Sequence, residues 1–378
     1  MNPLLLSGLL GATIAGLTVI MAFPWVVRIA LAVRSVDYPG GRRSHKEAIP
    51  RMGGIAIGAG IAAGAILPAL LMWKQWGPTV TPWDMLALLM GAGLVFLAGL
   101  IEDGIGLAPT YRILVQLVAA SGVVYAGWSF GNIHIPVLGE VHLGLMSGLV
   151  TVAWIVCVTN AVNLLDGLDG LAGGVTAIIA TSLLVFAYIQ SNILMVMVTS
   201  AIVGACIGFL RHNWSPARIY MGDSGSLTLG FLMAVMSLHA AVKEATTVAI
   251  LVPLLALGLP VIDALLVMAV RFIERPHGSH VRRVARMFKA DRNHLHHVLS
   301  RAVAERKHIV PAIYFVAACF CGMALVVAIS RSEALGVALV LVEVVVIFLM
   351  RSLGRRREAR QNTAEDTERA GRTYVEEY

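Results

Sequence analysis

Long apolar runs broken by short polar stretches dominate the chain. Eleven are long enough to be helices, near residues 4–31, 53–73, 85–101, 112–128, 143–160, 171–189, 192–210, 225–240, 246–270, 310–330 and 334–351. A helix needs about 20 mostly apolar residues to cross a bilayer. The pattern therefore predicts an all-α, polytopic integral membrane protein with about 11 transmembrane helices. Runs six and seven are parted only by a short turn around Gln190 and Ser191. Beyond residue 352 the chain turns polar and mixes basic with acidic residues. Residues 353–378 cannot bury a core and are expected to form a disordered tail behind a catalytic domain over 1–352.

Composition agrees. Hydrophobic residues make up 58% of the 378 and charged ones only 13%, whereas a soluble chain carries about 25% charged residues. The four cysteines (Cys157, Cys206, Cys319, Cys321) sit inside apolar runs and form no CxxC pair. Neither a disulfide framework nor a zinc site is implied. The first run lacks the basic flank and cleavage site of a signal peptide and reads as a first span.

Charge orients the spans. Of 29 lysines and arginines, 25 lie in loops after odd-numbered spans or in the tail, and only Lys74, Lys243 and Arg331 lie on the other face. Basic loops stay in the cytoplasm, so the expected topology has the N-terminus outside and the C-terminus cytoplasmic. The net charge of +7 then reflects membrane topology, and no nucleic-acid partner is implied.

Five polar clusters follow odd-numbered spans and so share the cytoplasmic face. They are Asp37 to Gly54, with Arg42 and His45; Glu102-Asp103 with Arg112 and Gln116; Asn160-Ala-Val-Asn163-Leu-Leu-Asp166-Gly167-Leu-Asp169-Gly; Met221-Gly-Asp223-Ser-Gly-Ser226; and Asp291-Arg-Asn-His294-Leu-His296-His297. Ionisable residues at the edge of a span are costly and point to function. Asn160, Asn163, Asp166 and Asp169 recur every third residue and keep to one broad helical face. Asp223 between glycines suits Mg²⁺ beside phosphate oxygens, although Gly-Asp-Ser-Gly is also an ordinary turn and N-cap. Glu102 and Asp103 could share a metal or serve as a base. The forked guanidinium of Arg112 suits phosphate. The histidines suit phosphate contact or proton transfer better than zinc. Carboxylates, amides, arginine and histidines at one membrane face are the parts phosphoryl transfer needs, with a lipid as one substrate.

These clusters, in this order from Asp37 to Leu299, resemble the polyprenyl-phosphate N-acetylhexosamine-1-phosphate transferases over about 70% of the chain. Within that family the chain is more similar to the branch using undecaprenyl phosphate and UDP-GlcNAc. The phospho-MurNAc-pentapeptide transferases carry three consecutive histidines where this chain has His294-Leu-His296-His297. The resemblance implies eleven helical spans, a cytoplasmic active site in a bacterial inner membrane, and Mg²⁺ (or Mn²⁺) as cofactor. The implied reaction moves HexNAc-1-phosphate from a UDP-sugar to polyprenyl phosphate and releases UMP. It also implies roles: Asp223 as principal Mg²⁺ ligand with Asn163 second; Asp169, near Gly167, at the uracil; Asp166 in the same nucleotide segment; Arg112 on phosphate; and His294, His296 and His297 on sugar and diphosphate. Asp263, after Pro260, falls where the family places an aspartate. Arg42, His45 and Asn160 join the expected substrate contacts. Glu102 or Asp103 would deprotonate the lipid phosphate or hold charge. A route through an aspartyl-phosphate and a homodimeric assembly stay open.

Two departures stand out. The family commonly has Asp-Asp where this chain has Glu102-Asp103, and the stretch between Gly278 and Asp291 is longer and more basic than usual. A different UDP-sugar, including a MurNAc-pentapeptide donor, is one alternative reading. A non-catalytic membrane lipid-binding or transport protein is another, although transporters keep their polar groups near the midplane.

Overall fold

A computed structural model describes residues 2–38, 48–76, 81–135, 139–244, 247–274, 294–302 and 308–376. The helices are α1 (Pro3–Ala32), α2 (Gly53–Leu71), α3 (Trp73–Trp76), α4 (Pro82–Ile105), α5 (Pro109–Tyr125), α6 (Met146–Asn163), α7 (Leu171–Ile189), α8 (Ile193–Asn213), α9 (Gly222–Glu244), α10 (Thr247–Ala256), α11 (Gly258–Glu274), α12 (Leu295–Ala302), α13 (Ile309–Ser330) and α14 (Glu333–Glu376). Two short antiparallel ribbons accompany them: β1 (Val36–Asp37) with β2 (Ile49–Pro50), and β3 (Asn132–Ile135) with β4 (Gly139–His142). The all-α polytopic reading holds.

All eleven expected runs are helical, but the span count changes. Among the described residues nine helices are long and apolar enough to cross a bilayer, or ten if α10 and α11 together make one span. The fourth run is α5, only 17 residues long. The ninth run is not one straight helix: it breaks at Leu257 and bends by 77° between α10 and α11. Pro260 explains the break, since it has no N–H to donate and its ring would strike the carbonyl of Ala256. In the first turn of α11 that missing donor costs nothing.

The polar stretch expected to be a disordered tail instead continues α14 to Glu376.

Lipid gives helices no hydrophobic reason to associate, so close backbone approach must do it. Glycines supply that approach where α1, α2 and α8 meet. Added methyl groups at Gly64, Gly204 and Gly208 would strike the carbonyls of Gly11, Ala12 and Gly16. Helix α9 is enclosed by α2, α4, α6, α8 and α10, whereas α14 faces mostly outward. The α4, α6 and α8 C-termini, the α5, α7 and α9 N-termini and the β1–β2 ribbon meet at one end of the bundle: Tyr220 donates to Pro50, and Gly53 and Gly54 donate to Tyr220 and Met221.

Candidate active site

The anchor of the site is the first turn of α9. Four N–H groups at a helix start have no partner within the helix, and Asp103, from the end of α4, takes two of them. Its Oδ1 accepts from Asp223 N at 2.7 Å, and its Oδ2 accepts from Ser224 N at 3.0 Å and Ser224 Oγ at 2.5 Å. Gly222 makes the turn possible: its φ is +74°, and a side chain there would collide with Asp103 and the Arg51 carbonyl. Asp103 therefore acts here as a cap that positions Asp223. Ser35 Oγ donates to the Asp103 carbonyl at 2.6 Å, tying in the β1–β2 ribbon. Neighbouring Glu102 points elsewhere, its Oε2 accepting from Leu107 N at 2.6 Å and closing the α4–α5 turn.

Asp223 itself lies between two helices. Arg112, near the start of α5, places Nη1 2.6 Å from its Oδ2. Asn163, the last residue of α6, donates from Nδ2 to its Oδ1 at 3.0 Å and to Ser226 Oγ at 2.8 Å. Both Arg112 and Asp223 keep about a quarter of their side-chain surface open. One turn back, Asn160 Nδ2 donates to Gln116 Oε1 at 2.5 Å and to the Val156 carbonyl.

The α6–α7 loop closes over this group. Burial, then the charges of Asp223 and Asp103, push the Asp166 carboxyl up to about 7, against the opposing pull of Arg51 and a hydrogen bond from the Gly222 N–H. Asp169 Oδ2 accepts from Ala217 N at 3.1 Å. Gly170, left-handed at φ +76°, donates to Asn213 Oδ1 and accepts from the Tyr314 hydroxyl at 2.6 Å. Tyr314 fills the space a side chain at Gly174 would need.

The histidines dock against the same loop. A methyl group on Gly167 would collide with His296 Nε2. The His294 and His296 rings lie 6.3 Å apart and nearly parallel, and His296 and His297 are 4.1 Å apart. Burial, then the neighbouring His297 and His294, lowers the His296 imidazole to about 3. Among the described residues neither of its ring nitrogens has a hydrogen-bond partner. Asp263 is buried at 4% exposure, engaged with His294 Nδ1 at 3.0 Å, Leu295 N and Arg351.

The structure thus gathers Asp103, Arg112, Asn160, Asn163, Asp166, Gly167, Asp169, Asp223, His294, His296, His297 and Asp263 at one end of the bundle, with Glu102 beside them. Arg42 and His45 lie outside the described residues. Sequence reasoning missed Arg51, Tyr314 and Arg351. The two arginines carry a visible signal, since each stands at the edge of an apolar run.

A divalent cation fits the donor set. Asp223, Asp166 and Asp103 are near enough to raise the Asp166 pKa by repulsion, and an added cation would relieve that repulsion. Among the described residues no three His, Cys, Asp or Glu side chains form a ready-made cage. Mg²⁺ commonly does without one, binding through one or two carboxylates plus phosphate and water.

Comparison with known proteins places the chain. Residues 85–241 match glycosyl transferase family 4. A probable undecaprenyl-phosphate N-acetylglucosaminyl 1-phosphate transferase of Bacillus subtilis is 32% identical over 334 residues, spanning 88% of this chain and 87% of that protein. A decaprenyl-phosphate N-acetylglucosaminephosphotransferase of Mycobacterium tuberculosis is 32% identical over 338 residues, 82% of this chain and 80% of its own. A phospho-N-acetylmuramoyl-pentapeptide-transferase of Lactobacillus johnsonii is 33% identical over 204 residues, 51% of this chain and 62% of its own. With that identity spread over nearly the whole chain, and the matched segment running from α4 through most of α9, the protein belongs to glycosyl transferase family 4.

Proposed function

We propose that this enzyme transfers HexNAc-1-phosphate, with GlcNAc as the sugar, from a UDP-sugar to undecaprenyl phosphate, releasing UMP. It would act on the cytoplasmic face of a bacterial inner membrane and so begin a lipid-linked envelope glycan. The observation that carries the reading is the convergence of Arg112, Asn163 and Asp223 with the Asp166–Asp169 loop and the histidines at one end of a membrane bundle. The GlcNAc assignment draws on relatives that cover most of this chain, whereas the pentapeptide-transferase match covers about half of it. The cytoplasmic assignment draws on the 25 basic residues that share the site's side of the chain.

A phosphate oxygen of the lipid attacks the β-phosphorus of the UDP-sugar. The bond from that phosphorus to the bridging oxygen breaks, and UMP leaves with the electron pair. Asp223, with Asn163, would hold Mg²⁺, which would supply charge neutralisation on the diphosphate when bound. Arg112 neutralises Asp223 in this structure; its guanidinium is placed to turn to a phosphate when donor arrives. Asp103 keeps the α9 turn in register. Asp166, titrating near neutrality, is suited to hold the proton of the incoming lipid phosphate. Neutral His296 can offer one N–H to an anionic oxygen without binding a proton of its own.

The test is UMP release by purified protein given undecaprenyl phosphate, Mg²⁺ and a panel of UDP-sugars, with and without EDTA. Release with UDP-GlcNAc that EDTA abolishes is the expected result. Release only with a UDP-MurNAc-pentapeptide would reassign the sugar. Folded protein inactive with every donor would reject the reading.

A further inference from the structure

Asp263 sits on α11, near the bend, and is too enclosed to touch a substrate. Its Oδ1 takes Arg351 Nη1 at 2.5 Å and Leu295 N at 3.1 Å. Its Oδ2 lies 3.0 Å from His294 Nδ1 and 3.2 Å from Leu295 N. Arg351 Nη1 also reaches the Asp263 carbonyl at 3.3 Å. Arg351, Asp263 and His294 are each no more than 5% exposed. Arg351 comes from α14, 88 residues away from Asp263 and outside the matched family segment. The transfer chemistry proposed above assigns no role to a buried arginine on α14. Isolated buried charges are costly unless paired, so the pair must be explained by what it holds.

It holds the histidine segment. A carboxylate surrounded by donors accepts from His294, so Nδ1 carries the hydrogen and Nε2 is presented away from Asp263. This is how a buried carboxylate fixes the tautomer and tilt of a functional imidazole elsewhere in protein chemistry. The Leu295 N–H bonds anchor the start of α12 to the same carboxylate. His296 then stacks beyond His294 and rests on Gly167, within the α6–α7 loop. We propose that Arg351 is a positioning residue for the transfer: through Asp263 it fixes the orientation and tautomer of His294, and through α12 the seat of His296 on the α6–α7 loop. The last membrane helix is thereby part of the catalytic apparatus. This inference rests on the function proposed above.

The test uses the full-length protein and four variants: R351K, R351Q, D263N and the R351Q/D263N double variant. UMP release at saturating UDP-GlcNAc and undecaprenyl phosphate gives kcat, titrations give KM, and UDP binding is measured calorimetrically. R351Q should lower kcat by about 10- to 100-fold, the cost of a misplaced site group. KM and UDP affinity should change much less than kcat, since Arg112, Asn163 and Asp223 keep their places. R351K, which restores a cation on Asp263, should recover most of kcat. The double variant should be no slower than the slower single one, as expected for residues acting as a unit. Wild-type kcat in R351Q would overturn the proposal, as would losses that multiply in the double variant or an R351K no better than R351Q. If R351Q does not fold, R351K and D263N carry the test: the proposal then requires the kcat-selective loss in D263N and near-normal R351K. Wild-type protein that neither turns over nor binds UDP would instead refute the proposed function.

Discussion

Asp103→Asn separates positioning from chemistry at the heart of the site. The substitution keeps the size of the side chain and removes one acceptor. Asp103 serves three donors, Asp223 N on one oxygen and Ser224 N and Oγ on the other. Whichever way an Asn amide is turned, its NH₂ faces at least one backbone N–H of the α9 turn. A hydrogen bond to a charged acceptor contributes about 1.5–3 kcal/mol, and a stranded buried donor costs about 1–3 kcal/mol. Loss of negative charge at a helix N-terminus adds about 0.3–1 kcal/mol. Because the group is only partly buried, the lower ends of these ranges apply, giving about 3 kcal/mol in all. The α9 turn should relax and carry Asp223 with it, and a displacement of about 1 Å at a reacting centre costs about 100-fold in turnover. Thermal unfolding in detergent, followed by intrinsic tryptophan fluorescence, reads the first effect; UMP release reads the second. Both should fall together. Wild-type melting and turnover would refute the capping role. Wild-type melting with lost turnover would make Asp103 a chemical participant rather than a positioning one.

Glu102→Gln should retain turnover within about threefold, because an amide oxygen can still accept from Leu107 N; a dead but folded variant would restore Glu102 as a candidate base. Asp166 sets a pH limb. Its raised pKa means that the carboxylate fades as pH falls through about 7, so kcat at saturating substrates should drop about tenfold per pH unit below that point. A profile flat down to pH 5 in wild type would remove Asp166 from proton transfer. His296, already lowered to about 3, should add no limb between pH 5 and 8. Gly174→Ala should lose about 1–3 kcal/mol of stability through overpacking against Tyr314, and Gly174→Ala/Tyr314→Phe should recover part of it if the hydroxyl is the obstacle.

The helices were legible because each apolar run answers to a single local rule, the length needed to cross lipid. The site's composition was legible for a related reason: Asn163, Asp166 and Asp223 stand out in an apolar background. What each residue does was less so. Asp103 and Asp223 both read as acidic groups near glycine, yet one caps the helix that carries the other, a relation spanning 120 residues. Arg351 read as one more topological charge because its partner Asp263 lies 88 residues earlier. The bend at Leu257 is signalled by Pro260, but the length and apolar character of 246–270 match a single span. The β3–β4 ribbon alternates polar and apolar residues in the sequence, a pattern too short to stand out between two long spans.

The enclosure of α9 bears on how the protein is made. This helix carries Asp223 with Ser224, Ser226, Thr228 and Ser237, a polar load for a segment inserted alone. Helices α2, α4, α6 and α8, which wrap most of it, all precede it in the chain. During synthesis, which proceeds from the N-terminus, α9 leaves the ribosome after its sheath has been made. It can then partition into a protein-lined slot in place of bare lipid, and the hydroxyls of Ser226, Thr228 and Ser237 are matched from the outset by main-chain carbonyls about one turn back. Truncations that remove the sheath helices should therefore strand the Asp223 helix at the insertion machinery, while loss of α14 should leave its insertion intact.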